Sequence, residues 1–469
     1  ELFIEGSSAL FALMIPTRRR AGGATFRWAL YLLTVAQLMA FPLSSIPSMK
    51  WIDTGTMHPL SDVLGSMAVA PAASHLFTPG LRRALFAVAC TWVLVVVFLG
   101  VTVAVTSVTY GRPPRLLAKF SRSAFLLSAT ALLCPVAGSL SLGFYCGTPD
   151  TDSDADTTTA TAAASSTWLA STGGTACLSA AHTVVMLCAA LLLAIFAAIT
   201  LAHALFVVNH HPRRGGVTSC LAHGRLEALL VLGRLLLCLL FVHGDATPTA
   251  LLIWPALGLG LAWASALYYS LPYFWPMGNA TSAASCALYC WACLCQLLSQ
   301  LRDRDPVNEA FLVLCVGPLV AAAGPIVIHA RYRSIVDSPE PPATPFEVEV
   351  KARKLLLPYC TPRPTARNPV HAVLIDDLFG PDEDDAEIGA HRRLDPTSVE
   401  PSIPGVPRAV LAKVTSLYMD AIAHRFPNSA HLCLQYAVFL RLFKGAREGE
   451  MVQLSNVMRR RPVADDAFY

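Results

Sequence analysis

Charged residues are scarce in this 469-residue chain, in which Asp, Glu, Lys and Arg make up 14% while 54% of the residues are hydrophobic. Soluble domains usually carry about a quarter of charged residues, so a water-soluble fold is excluded for most of the chain. The scarcity is also uneven, because residues 1–330 hold 30 charged residues and the remaining 139 hold 36. We therefore predict a membrane-embedded first part and an aqueous tail.

Motifs of common enzyme classes are missing as well. The sequence has no Walker A motif, dinucleotide-binding fingerprint, HExxH, GxSxG or kinase signature, so we predict no catalytic residues and no cofactor. The net charge is +4 in residues 1–330 and zero in the tail, which argues against nucleic acid as a partner. Because the chain starts at Glu1 without a signal-peptide pattern, we expect it to be part of a longer protein.

Long apolar runs are what the sequence has instead. Residues 177–208 contain no Lys, Arg, Asp or Glu, and about 20 apolar residues suffice to cross a bilayer as a helix. Similar runs recur along residues 26–333, and the sequence predicts a polytopic, all-α bundle of about eight transmembrane helices. The predicted spans are Phe26–Ser45, Ala84–Val108, Ser123–Tyr145, Cys177–Val208, Gly224–His243, Thr249–Leu271, Ala280–Leu298 and Asn308–Ala330.

Basic residues between the spans predict the orientation. Short cytoplasmic loops carry an excess of Lys and Arg, and the most basic short loops lie at 18–20, 112–122 and 213–214. The loop 146–177 has four Asp and neither Lys nor Arg, as suits the opposite side. Eight spans then place both the N- and the C-terminus in the cytoplasm, although Arg82, Arg83, Arg302 and Arg304 fall on the outside.

The chain divides into four ranges. Residues 1–25 form an N-terminal flank, 26–333 the transmembrane domain, 334–405 a Pro-rich and acidic connector, and 406–469 a helical array. Within the connector, the alternation from Phe346 to Val350 indicates a short strand or the start of a helix that ends at Leu356. The last range predicts three helices with very short turns, the second of them capped by Asn428 or Ser429. This pattern is typical of an α-solenoid such as tetratricopeptide (TPR) repeats.

The fifth predicted span carries the ionisable residues Arg225, Glu227 and Arg234. Arg225 can reach the interface, but Arg234 lies about ten residues into the helix, where a charge costs roughly 2.5 to 3.5 kcal/mol on insertion scales. Glu227 and Arg234 are seven residues apart, so a direct ion pair between them would be strained. Two hypotheses follow: an ion, proton or anionic-lipid site, or a buried polar clamp between helices, which we favour.

Cysteines and a sequon give further candidate sites. Cys146 and Cys177 bracket one predicted exoplasmic loop and could form a disulfide. Cys286, Cys290, Cys293 and Cys295 recur in the seventh span, where small-residue packing is favoured over a metal site. The sequon at Asn279 lies on the predicted cytoplasmic side, so we expect it to carry no glycan.

Three segments have a recognisable sequence, namely HRFPNSAHLCLQYAVFLRLFKGAREGEMVQLSNVMRR in the tail, FEVEVKARKLLL in the connector and LLTVAQLMAFPLSSIPSMKW at the first span. Together they resemble the tiny macrocysts protein B and C family of multi-pass membrane proteins. The resemblance implies a membrane block followed by TPR-like helices, with PAS-type sensor domains further on in longer members. It implies no catalytic residues, and the Ala-rich loop after the third span departs from the family pattern.

These observations predict a membrane-anchored signalling or scaffold component. Its partners would be membrane lipids and cytoplasmic proteins, the latter bound by the TPR-like helices. The alternative is a channel or transporter with a regulatory tail. A pore needs polar residues on several spans, whereas seven of the eight predicted spans are almost free of ionisable groups.

Overall fold

The computed structural model describes residues 23–44, 79–110, 114–144, 180–206, 221, 223–242, 249–302, 315–360 and 406–460. Within these ranges every regular element is a helix, in agreement with the predicted all-α class. The helices of the bundle are α1 (Gly23–Ser44), α2 (Pro79–Tyr110), α3 (Arg115–Ala129), α4 (Leu133–Ser141), α5 (Ala180–Phe206), α6 (Arg225–Val242), α7 (Thr249–Ser270), α8 (Pro276–Arg302) and α9 (Gly317–Val336).

Four of the described helices, α2, α5, α7 and α8, are long and apolar enough to cross a membrane, and the count becomes five if α3 and α4 form one bent span. The apolar part of α1 is shorter, from Trp28 to Pro42. Helix α6 carries three charged residues, Arg225, Glu227 and Arg234. The chain is therefore a helical membrane protein with several spans. The predicted count of eight spans exceeds the four or five that the described helices support.

Lipid is the solvent that suits the outer helices. On α2 the side chain of Phe98 is 67% exposed, and on α5 that of Leu187 is 66% exposed. Large apolar side chains exposed along whole helices would be unfavourable in water. Helix α6 packs against four others, α1, α4, α5 and α7, and exposes only one face, at Leu232, Leu236 and Leu240.

The third predicted span, Ser123–Tyr145, contains a break. The structure has two helices there, α3 and α4, which meet at an angle of 67°. Pro135 is the third residue of α4, and its ring lacks the N–H that would bond the Ala131 carbonyl four residues earlier. Helix α3 also begins inside the stretch 112–122 that the sequence predicted as a cytoplasmic loop.

The tail contains four described helices: α10 (Pro345–Cys360), α11 (Arg408–Asp420), α12 (Ala430–Phe439) and α13 (Arg447–Arg459). Of the two alternatives left open near Phe346, the helix is confirmed, and it ends at Cys360 rather than at the predicted Leu356. The Ser429 side chain accepts a hydrogen bond from the Leu432 backbone N–H at 3.2 Å, so Ser429 is the N-cap of α12. Gly445, with φ of 65°, ends the turn that follows α12.

The tail has a hydrophobic core of its own and docks on one end of the bundle. Its centre is a row of aromatic rings, in which Tyr418 stacks on Tyr436 with centroids 5.3 Å apart. Phe274 and Trp275, from the turn between α7 and α8, pack against this core. The tail is thus held against the end of the bundle where α7 ends and α8 begins.

Candidate functional site

The break between α3 and α4 is the first part of the candidate site, and we call it the break clamp (Gln37, Ala129, Thr130, Ala131 and Arg234). Three backbone carbonyls at the end of α3 accept hydrogen bonds from side chains of other helices. Backbone polar groups inside a bilayer need protein partners because no water is available there. A broken helix at this depth therefore depends on the side chains that bind it.

Arg234 supplies most of those bonds. Its Nη2 donates to the Ala129 oxygen at 3.1 Å, and its Nη1 donates to the Thr130 oxygen at 3.3 Å and to Gln37 Oε1 at 3.1 Å. The Arg234 side chain is 1% exposed. The C-terminal end of a helix carries partial negative charge, so the C-terminal end of α3 compensates the charge of the buried guanidinium.

Gln37 completes the clamp from α1. Its Nε2 donates to the Ala131 oxygen at 2.6 Å, which is the carbonyl left without a helical donor by Pro135. The amide oxygen of Gln37 meanwhile accepts from Arg234. Three helices are thus tied together at one point, and this geometry favours the clamp hypothesis for Arg234 over the ion-path hypothesis.

Glu227 and Arg225 lie apart from the clamp. Glu227 Oε1 accepts a hydrogen bond from the Tyr273 hydroxyl at 3.2 Å, and no ion pair joins it to Arg234 among the described residues. Arg225 is the first residue of α6 and is half-buried. The three ionisable residues predicted from the sequence therefore do not form one cluster, and Glu227 points to a second site at the tail end of the bundle.

The second site surrounds the turn from Leu271 to Trp275. Leu271 has φ of 43°, which is rare for a residue other than glycine. Asn279 holds the turn on both sides of Tyr273, since its Oδ1 accepts from the Tyr273 N–H at 3.2 Å and its Nδ2 donates to the Tyr273 oxygen at 2.9 Å. The Asn279 side chain is 3% exposed, so both polar atoms of its amide form their hydrogen bonds within the protein.

Arg353 connects this turn to the tail. From α10 its Nη1 donates to the Leu271 oxygen at 2.9 Å and to the Tyr273 oxygen at 2.7 Å, and its Nε lies 3.4 Å from Glu349 Oε1. Glu349 Oε2 in turn lies 3.3 Å from His431 Nε2 on α12. We call Tyr273, Glu349, Arg353 and His431 the junction network, and the charged and imidazole side chains in it are 3% to 7% exposed.

Electrostatics keep the Glu349 carboxylate ionised in this buried place. Burial raises its pKa, but the neighbouring Arg353 guanidinium and the His431 ring lower it more strongly, and the pKa is about 2. His223, just before α6, packs edge-on against Phe346 and His431 with ring centroids 5.5 and 5.8 Å away. Burial lowers the pKa of His223 to about 3, so this ring is neutral at physiological pH.

The cysteine candidates have different outcomes. Cys146 and Cys177 lie outside the described residues, so their disulfide stays a prediction. In the Cys286–Cys295 stretch, a side chain placed on Gly260 would approach Cys290 Sγ to 2.6 Å, so α7 and α8 touch there through small groups. The described residues contain no group of three or more His, Cys, Asp or Glu placed to hold a metal ion.

Sequence reasoning missed most of the junction network. Glu349 and Arg353 are four residues apart on one helix, a spacing that is common for exposed ion pairs and gives no sign of burial. Gln37 was one polar residue in an apolar span.

No family model, no curated protein and no solved structure matches this chain.

Proposed function

We propose that this protein is a membrane-anchored signalling or scaffold component whose cytoplasmic, TPR-like tail binds partner proteins. In this proposal the membrane domain has eight spans, both termini face the cytoplasm, and the chain is related to the tiny macrocysts protein B and C family. The three resembling segments and the helical pattern of residues 406–469 support the architecture. The membrane domain fixes where the tail acts.

The observation that carries the proposal is the junction network. Arg353 bonds two carbonyls of the α7–α8 turn while pairing with Glu349, so tail and bundle share buried charged groups. Burying charge in this way is costly unless the geometry is fixed. A tail that served only as a tether would not need such a junction, whereas a tail that reports on the bundle or presents a surface in one orientation would.

The meeting of several helix ends at the tail supports the proposed orientation. Helix α6 begins, α7 ends, α8 begins and α9 ends on the side where the tail docks. Alternating spans place the same four ends on one side of the membrane, and the basic pair Arg213 and Arg214 before α6 predicts that this side is the cytoplasm.

Apolar residues on the outer face of α13 offer a surface for a partner. Met451 is 59% exposed and Val452 is 58% exposed, although α13 belongs to the aqueous part of the chain. Aromatic and Met side chains are enriched where proteins meet. We expect a protein partner to cover this part of the tail.

Partner binding is tested with the full chain in lipid nanodiscs as bait for cytosolic proteins, followed by chemical crosslinking. We expect crosslinks on the tail, and a loss of about tenfold in the Met451→Glu/Val452→Glu variant because each charge must be desolvated in the interface. Ala409→Glu adds a charge at an exposed position of α11 and serves as the control. The proposal is contradicted if the wild-type bait captures no protein, or if the Met451→Glu/Val452→Glu variant captures as much as the Ala409→Glu control.

A channel or transporter is the second candidate, and the break between α3 and α4 is the observation that favours it. Transporters often place substrate sites at interrupted helices within the membrane. Here the freed carbonyls are bound by Arg234 and Gln37, so transport would require these bonds to open. Ion flux into proteoliposomes that rises in a folded Arg234→Leu variant, in which these bonds are absent, would favour this candidate over the scaffold.

A further inference from the structure

A groove on the outside of the bundle is bounded by α7, α8 and α9. Its volume is about 530 Å³, and its walls are mostly apolar, formed by residues such as Leu267, Ala283, Ala287, Val320 and Ala323. Two of its three helices, α7 and α8, are long and apolar enough to cross a membrane, so we place the groove in the bilayer. An occupant of the groove then comes from the lipid rather than from water.

Small residues explain why this groove exists. A side chain added at Gly324 would lie 2.5 Å from the Ala283 backbone oxygen, so α8 and α9 touch backbone to backbone at this point. Beside the contact, Ala287 and Ala323 are too short to fill the space between the helices. The protein thus has close helix contact and an unfilled apolar groove next to it.

The length of the groove matches one leaflet of a bilayer. From Val320 to Ile328 the lining extends over eight residue steps of α9, or about 12 Å at ~1.5 Å per residue. Half of a hydrocarbon core about 30 Å thick is about 15 Å. A single hydrocarbon chain that extends through one leaflet therefore fits the groove lengthwise.

A cation lies at the tail end of the groove. The Arg331 guanidinium carbon is 5.3 Å from the centre of the Tyr268 ring, and Tyr268 lines the groove. Arg331 Nη2 also pairs with Glu347 Oε1 at 2.7 Å, which holds the guanidinium in place. A guanidinium has five N–H donors, so Arg331 can pair with Glu347 and still donate to a phosphate group at the membrane surface.

We propose that the groove between α7, α8 and α9 binds one acyl chain of a glycerophospholipid, with the lipid phosphate beside Arg331. The acyl chain replaces bulk lipid along the small residues of α8 and α9. The site is separate from the break clamp and from the α13 surface, and its occupancy does not depend on partner binding.

The first test is native mass spectrometry of the full chain in detergent after incubation with phosphatidylglycerol. We expect a retained adduct with the mass of the phospholipid. The Ala287→Phe/Ala323→Phe variant fills the groove and should retain about tenfold less, because losing the burial of two methylene groups already weakens binding by about that factor. Ala322→Phe, at an exposed position of α9 outside the lining, should retain as much as the wild type.

The second test requires no variant. Phosphatidylglycerol with a photoreactive group in its acyl chain should label the groove-facing residues of α8 and α9 more strongly than the exposed faces of α2 and α5. Equal labelling of all outer helices, an adduct with the mass of a fatty acid alone, or full retention by the folded double variant would each overturn the proposal.

Discussion

Arg353 Nη1 donates to the Tyr273 backbone oxygen at 2.7 Å, although the two residues are 80 positions apart and belong to different parts of the molecule. The Tyr273 hydroxyl donates to Glu227 on α6. One residue in a turn therefore connects the interior of the bundle to the tail. Helix α6 and Arg353 of the tail are thus linked through two hydrogen bonds of the same residue.

Replacing Arg353 with Leu should loosen the tail from the bundle. The change leaves the Glu349 carboxylate buried without its guanidinium partner, which typically costs about 3 to 5 kcal/mol. Hydrogen exchange of α10 and α12 should rise while exchange in α2 and α5 stays unchanged. Lys354→Leu, at the neighbouring exposed position, is the matched control and should leave the exchange as it is. Equal protection in both variants would contradict a fastening role for Arg353.

Acid should destabilise the docked tail in two steps. The pKa of His223 is lowered to about 3 by burial and by the positive charges of His431, Arg225 and Arg353, against the opposing effect of Glu349. Below a pH of about 6.5, the ordinary pKa of a histidine, His223 is protonated in the unfolded protein but stays neutral in the folded protein. Stability therefore falls as the pH decreases from about 6.5 to about 3, by at most about 1.4 kcal/mol per pH unit.

Glu349 adds the second step. Its pKa in the folded protein is about 2, below the ordinary value of 4.5, so its contribution is complete above pH 4.5 and disappears as the pH falls towards 2. Thermal unfolding in detergent from pH 7 to 2.5 covers both steps. His223→Phe should reduce the decline between pH 6.5 and 4.5, whereas His424→Phe, at an exposed histidine, should retain it in full. The same decline in both variants would rule out His223 as its source.

Composition and apolar runs were enough to predict the helical membrane class, because a hydrocarbon solvent imposes a strong requirement on every residue of a span. The same information could not predict the bend at Ala129–Leu133. A proline inside an apolar run is compatible with a kink or with a complete break, and which of them forms depends on whether distant side chains such as Gln37 and Arg234 bind the freed carbonyls. The junction network was beyond sequence reasoning for a related reason, since Glu349 and Arg353 become buried only through helices distant in the chain.

The sequon at Asn279 should stay without glycan on whichever side of the membrane it lies. The side-chain nitrogen that would carry the glycan donates to the Tyr273 oxygen and is buried. Glycosidase treatment of the protein from a eukaryotic host should not change its mobility in electrophoresis. Asn279→Leu should lower the unfolding free energy by about 1 to 3 kcal/mol per unsatisfied backbone group. A glycan at Asn279 would contradict both the turn geometry and the predicted orientation.

Gln37 and Arg234 should be energetically coupled, because each binds the other and a carbonyl of the same helix break. Arg234→Leu leaves the Ala129 and Thr130 carbonyls and the Gln37 oxygen without their donor, and each such buried group costs about 1 to 3 kcal/mol. Gln37→Leu removes the donor to Ala131. A double-mutant cycle measured by unfolding in detergent should give a coupling energy of about 0.5 to 3 kcal/mol.

Leu236→Ala supplies the control for that cycle, since Leu236 is exposed on the same helix as Arg234 and, two residues further on, projects from another face of it. Its effect should add to that of Gln37→Leu without coupling. The clamp hypothesis also requires that Arg234→Lys be destabilising, because an ammonium group is a single point charge and cannot bond two carbonyls and an amide oxygen in the planar geometry of a guanidinium. If Lys restores full stability, only the charge of Arg234 matters, and the ion-path hypothesis regains its place beside the clamp.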